Sequence, residues 1–126
     1  MTAVGVTGGT HVRQTLTWSR DGTATPSAGL LRWYNRTGGA RTVVGVWVSA
    51  ATPPTGQPLV VDLNKNGVTM FTTQANRAQV PVGANVGTTA VPDVVTIADG
   101  EYLTVDVDQV GSVAAGADVV AGILHQ

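Results

Sequence analysis

The chain of 126 residues contains no cysteine. No disulfide can staple it, and thiol nucleophiles and thiolate metal ligands are excluded. That suits a protein made in a reducing cytoplasm. Long straight-chain helix formers are nearly missing, with Glu101 the only glutamate and Lys65 the only lysine. Helix surfaces are built from such residues, so helices are not expected. Aromatic residues number six: three Trp, two Tyr and one Phe. The formal net charge is −1, which offers no general attraction to nucleic acid. No apolar run reaches the ~18 residues of a membrane-spanning helix, so no membrane partner is expected. No basic stretch leading into an apolar run follows Met1, and no signal peptide is expected.

What is present is β-branched. The chain has 22 Val and 18 Thr, residues that are stiff at χ1 and fit a pleated sheet. Gly contributes 16 residues and Pro 6, spaced between apolar runs as turn punctuation. Short strands divided by Gly and Pro turns are the pattern of a sandwich or barrel. Charge is uneven along the chain. Residues 1–50 carry five Arg against Asp21 (+4), and residues 51–126 carry Lys65 and Arg77 against six Asp and Glu101 (−5). This is either scatter over a solvated surface or the mark of a bipolar domain.

Residues 1–10 are small and Gly-rich and read as a flexible arm, with Val4 and Val6 as its contact candidates. Residues 11–126 read as one domain. Alternation marks a strand from His11 to Ser19, and Arg20 to Ala28 reads as a loop around the Asp21-Gly22 turn signal. From Gly29 to Arg36, Leu31 and Trp33 should face inward and Arg32, Tyr34 and Arg36 outward. Ala40 to Ala51 is apolar on both faces, with Val44, Val46 and Val48 on one and Val43 and Trp47 on the other. Such a strand is either central or covered by a partner. Further strands are expected at Gln57–Asn64, Val68–Thr73, Gln79–Val82, Val94–Ala98, Glu101–Gln109 and Asp118–His125, with Asn64-Lys65-Asn66-Gly67 as a hairpin turn. The expected fold is an all-β, two-sheet antiparallel sandwich of jelly-roll type with about eight strands.

Candidate chemistry is sparse. His11 and His125 have no metal-ligand spacing and read as exposed residues near the termini. Asp106 and Asp108 share a strand face, and Asp62 can lie beside them. Three carboxylates there could hold Ca²⁺ or form a glycosidase pair, although a solvated sheet face is the simpler reading. Trp18 and Trp33 sit among apolar neighbours and belong to the core. Tyr34, flanked by Arg32 and Arg36, is the best outward contact residue. No Gly-x-Ser-x-Gly or phosphate-binding loop occurs. The chain is therefore not expected to be an enzyme, and neither a cofactor nor a metal is expected.

Two segments carry a resemblance. One is Leu59-Val60-Val61-Asp62-Leu63-Asn64-Lys65-Asn66-Gly67 with Met70-Phe71-Thr72-Thr73 and Asn76-Arg77. The other is Gly100-Glu101-Tyr102-Leu103-Thr104-Val105-Asp106-Val107-Asp108-Gln109-Val110-Gly111-Ser112 with Gly116-Ala117-Asp118. Together they resemble a small β-domain of tailed-phage virion proteins, found in tail-fibre and minor tail proteins and as a stand-alone capsid-associated protein. The likeness spans about residues 55–120, and Asp99-Gly100-Glu101 departs from the Gly-Asp more usual before the Tyr. The resemblance implies a virion structural protein with no catalytic residues. Its leading form is a capsid decoration protein that binds the phage major capsid protein as a homo-oligomer, commonly a trimer, and resides in a virion assembled in the host cytoplasm. The alternative is a receptor-binding tail module that grips host-surface glycan, for which Tyr34 and Tyr102 could supply aromatic contacts. Arg32, Tyr34, Arg36, Val43 and Trp47 complete the set of expected interface residues.

Overall fold

The computed structural model of the protein describes residues 12–126. The expected arm, with Val4 and Val6, lies outside the described residues, as does His11. Nine strands form in chain order: β1 (Gln14–Thr23), β2 (Ser27–Tyr34), β3 (Arg41–Thr52), β4 (Leu59–Lys65), β5 (Val68–Thr69), β6 (Ala78–Val80), β7 (Thr96–Ile97), β8 (Tyr102–Gln109) and β9 (Ala117–His125). Among the described residues one 3-10 turn, Gln74–Asn76, interrupts them.

The strands build two antiparallel sheets. One runs β1-β9-β3-β7; the other runs β2-β8-β4-β5, with β6 on the same edge of β4. Pairing is nested: β1 with β9, β2 with β8, β3 with β7, β4 with β5 and β6. A long hairpin folded over on itself gives this order, and it is the jelly-roll topology. The core fills the space between the sheets. Val43, Val46, Val48 and Ala50 of β3 and Val119, Ala121 and Ile123 of β9 meet Leu59, Val61 and Leu63 of β4 and Leu103, Val105 and Val107 of β8. Phe71 and Met70, just past β5, close one side of it, both fully buried. Period-two alternation puts these residues inward, and each β-branched side chain packs against the facing pleat.

Three local features depart from the sequence reading. First, Arg20–Ala28 is not a loop, because β1 continues to Thr23 and β2 begins at Ser27. Asp21-Gly22 forms a bulge between the pairs Arg20–Val119 and Thr23–Ala117. Gly22 takes φ +87° there, and its N–H donates to Asp118 Oδ1 at 2.7 Å. Second, the pairs Val43–His125 and Gly45–Leu124 enclose one extra residue, Val44. A bulge reverses the parity of everything before it. Val43 therefore joins Val46 and Val48 in the core, and Val44 does not. Third, β5 covers only Val68–Thr69, because Met70 and Phe71 turn into the core instead of extending the ladder.

Nested pairing also settles the charge asymmetry. Strands β1, β2 and β3 from the Arg-rich half each hydrogen-bond to β7, β8 or β9 from the acidic half. The two halves interleave strand by strand and do not present separate surfaces.

Candidate functional site

The two sheets turn outer faces of opposite character to the surroundings. On the β1-β9-β3 sheet, cross-strand partners point to the same side. The outward set is Thr15, Thr17 and Ser19 from β1, Leu124, Gly122 and Val120 from β9, and Gly45, Trp47 and Ser49 from β3. Val86 bridges to Ser49 on the far edge and is 58% exposed. No charged residue belongs to this set. Trp47 lies flat over Gly122, so closely that any Cβ there would overlap the indole. Glycine at 122 thus lets a large aromatic ring lie down on the sheet, where it is partly buried.

The outer face of the β2-β8-β4 sheet is polar. Tyr34 and Tyr102 are paired in register, with ring centroids 5.2 Å apart and planes tilted by 43°. The Arg32 guanidinium stands 4.4 Å above the Tyr102 ring and donates from Nη1 to the Tyr34 hydroxyl oxygen at 3.1 Å. That hydrogen bond, more than any other contact, holds the Arg32 pKa above its usual value. The geometry originates in β2. Leu30 faces Val105 and Trp33 faces Leu103, which leaves one extra residue between them, and Leu31 adopts φ +49°. A bulky residue in the left-handed region costs about 1–2 kcal/mol. The bulge lets Leu30, Leu31 and Trp33 all pack against the core while Arg32 and Tyr34 project outward.

The three expected carboxylates do reach this one face, but each is tied to its own donors. Asp62 lies opposite Asp106. Asp62 Oδ1 accepts from the Leu63 N–H at 2.9 Å and the Thr69 hydroxyl at 2.8 Å. Burial raises its pKa, and the Thr69 and Leu63 bonds oppose that shift. Asp106 accepts from the Gly29 N–H at Oδ1 and from Asn64 Nδ2 at Oδ2, both at 2.8 Å. Asp108 pairs with Arg77 at 2.7 Å. Among the described residues no three His, Asp or Glu side chains converge as metal ligands.

The remaining expected interface residues divide. Arg32, Tyr34 and Trp47 lie on outer faces. Arg36 is exposed in the turn after β2. Val43 is 1% exposed and cannot meet a partner, which corrects its expected role. His125 is also corrected: β9 parity turns it inward, where it is 1% exposed and 5.0 Å from the Trp33 ring. Its Nδ1 accepts from Arg41 Nε at 3.0 Å, while Nε2 has no partner. Burial, then the Arg41 charge, lowers its pKa. Sequence reasoning missed Asn35. It is fully buried, its Nδ2 donates to the Gly39 and Ile97 carbonyls, and its Oδ1 accepts from Thr37. Only a lone Asn closing an alternating run hinted at it. An open cleft of about 400 Å³ lies between Ala75–Gln79 and Thr88–Val91, and its one charged lining residue, Arg77, is already paired with Asp108.

Compared with protein-family models, curated proteins and solved structures, the chain matches none. Its function is therefore read from the two faces and from the segments that carry the resemblance.

Proposed function

We propose that the chain is a structural protein of a tailed-phage virion, a decoration protein that docks on the outside of the capsid shell as a homo-oligomer. The observation that carries this reading is the outer face of the β1-β9-β3 sheet, where Trp47 lies over Gly122 between Val120 and Leu124 with no charge in the set. Outward apolar surface rimmed by Thr and Ser has the character of a contact surface, and a flat tryptophan supplies its anchor. A second support is that the two segments resembling phage virion domains are hydrogen-bonded neighbours, β4 with its hairpin and β8. They belong to one structural unit. The fold itself is neutral, since jelly rolls serve both viral shells and lectins.

The test is binding of the purified protein to undecorated phage heads, followed by sedimentation and electron microscopy. The expected result is regular density on the shell and, by light scattering, a trimeric mass in solution. A monomer that leaves heads bare and labels tails would replace this reading with the tail module.

A further inference from the structure

A different feature lies on the opposite side of the sandwich. Only two ion pairs form among the described residues, Lys65–Glu101 and Arg77–Asp108, and Arg32 belongs to neither. It is nonetheless held in place, under the Tyr34 hydroxyl bond and over the Tyr102 ring. One of its five N–H groups is used by Tyr34, and the guanidinium is solvent-exposed. The Tyr34 ring beside it is 45% exposed. A fixed, unpaired guanidinium next to an open aromatic face offers a fork for a carboxylate and a platform for C–H groups.

We infer that Arg32, Tyr34 and Tyr102 form a binding site for an acidic saccharide, a pyranose that carries a carboxylate. The pyranose C–H face would lie on Tyr34 and its carboxylate would take the free Arg32 N–H groups. The surroundings select this class over others. An extended peptide would have to add to the free edge of β2, and β2 cannot continue a ladder, because two register shifts and the left-handed Leu31 break its edge. A polyanionic nucleic acid would meet Asp106 of β8 and a domain of net charge −1, with Arg32 and Arg36 the only cations in this stretch of chain. A single sugar carboxylate asks for one guanidinium and carries no further charge to be repelled. The site needs neither an oligomer nor a capsid, so it stands or falls apart from the decoration reading.

The experiment is titration of the isolated, ¹⁵N-labelled full chain with glucuronate, glucose and acetate, followed by NMR chemical shifts. Glucuronate is expected to bind in the millimolar range proper to a ligand of this size, shifting residues 29–34 and 102–106. Glucose and acetate, each with half of the recognition, should bind at least about tenfold more weakly. Arg32→Gln should remove the preference for glucuronate over glucose, and Tyr34→Ala should remove both. Neither change should move Tm much, since both side chains are exposed. The proposal is overturned by no glucuronate shifts, by shifts confined to other strands, or by an Arg32→Gln variant that binds glucuronate like the parent. Shifts with acetate equal to those with glucuronate would reduce the site to a bare anion contact and also reject it.

Discussion

On the β1-β9-β3 sheet the outward positions hold Thr, Ser, Val, Leu and Trp, and on the β8-β4 sheet they hold Thr104, Asp106, Asp108, Asp62 and Asn64. Both sheets pack the same kind of Val and Leu core from their inner sides. The outer faces differ because the polar one meets its own needs. Asp62, Asp106 and Asp108 each find donors inside the domain, and a face so satisfied gains little by being covered. The apolar face has no such internal solution. Trp47 rests on Gly122 and stays only partly buried, so further burial by a second surface is favourable. One sandwich thus carries an apolar surface suited to permanent contact and, back to back with it, a polar surface on which Asp62, Asn64 and Thr104 are already buried by the domain itself.

The contrast can be broken most forcefully at Trp47. Trp47→Glu should weaken attachment to heads, and self-association, by at least about thirtyfold, as for loss of an interface hot spot. Circular dichroism should show the sandwich intact, because the ring lies outside the core. Binding unchanged in this variant would move the docking surface elsewhere. Gly122→Ala tests the same contact from beneath. A methyl group at 122 must push the indole off the sheet, at a cost of about 1–3 kcal/mol in unfolding free energy. Head binding should weaken with it.

A matched change on the polar face should behave in the opposite way. Asp106→Ala removes the acceptor for Gly29 N–H and Asn64 Nδ2, which should cost about 1 kcal/mol in denaturant unfolding. Attachment to heads should be unaffected.

His125 sharpens the comparison through pH. Its folded pKa is lowered by burial and then by Arg41. Below the ordinary histidine value the unfolded chain takes up a proton that the folded chain refuses. Stability should therefore fall as pH drops from about 7 toward about 5, and level off below the folded pKa. His125→Phe, which also removes the unpartnered Nε2, should flatten this dependence in thermal melts. The smallest effect is expected at Arg36, exposed and without an ion pair among the described residues. Arg36→Gln should change neither Tm nor the salt dependence of attachment measurably.

Alternation in the sequence was enough to place Leu59, Val61 and Leu63 and Leu103, Val105 and Val107 inward, and to send Arg32 and Tyr34 outward, because a strand's side chains have a strict period of two. The same rule failed at Val43 and Val44. One bulge residue reverses parity, and nothing in a run of valines marks where it sits. Asp21-Gly22 carried a real turn signal, but a turn and a bulge use the same residues, and only the pairing with β9 distinguishes them. Arg32 and Tyr34 are two positions apart and could be read as neighbours, whereas Tyr102 is brought to them from far along the chain.

By itself, then, the sequence determined an all-β chain with a sufficient apolar core, since β-branched composition and periodicity are local properties that act residue by residue. Tertiary structure alone decided which faces lie outside, which carboxylates meet their donors, that His125 is buried, and that an arginine stacks on a tyrosine. Those outcomes depend on strand order and register, and nested pairing sets these between residues as far apart as Gln14 and His125.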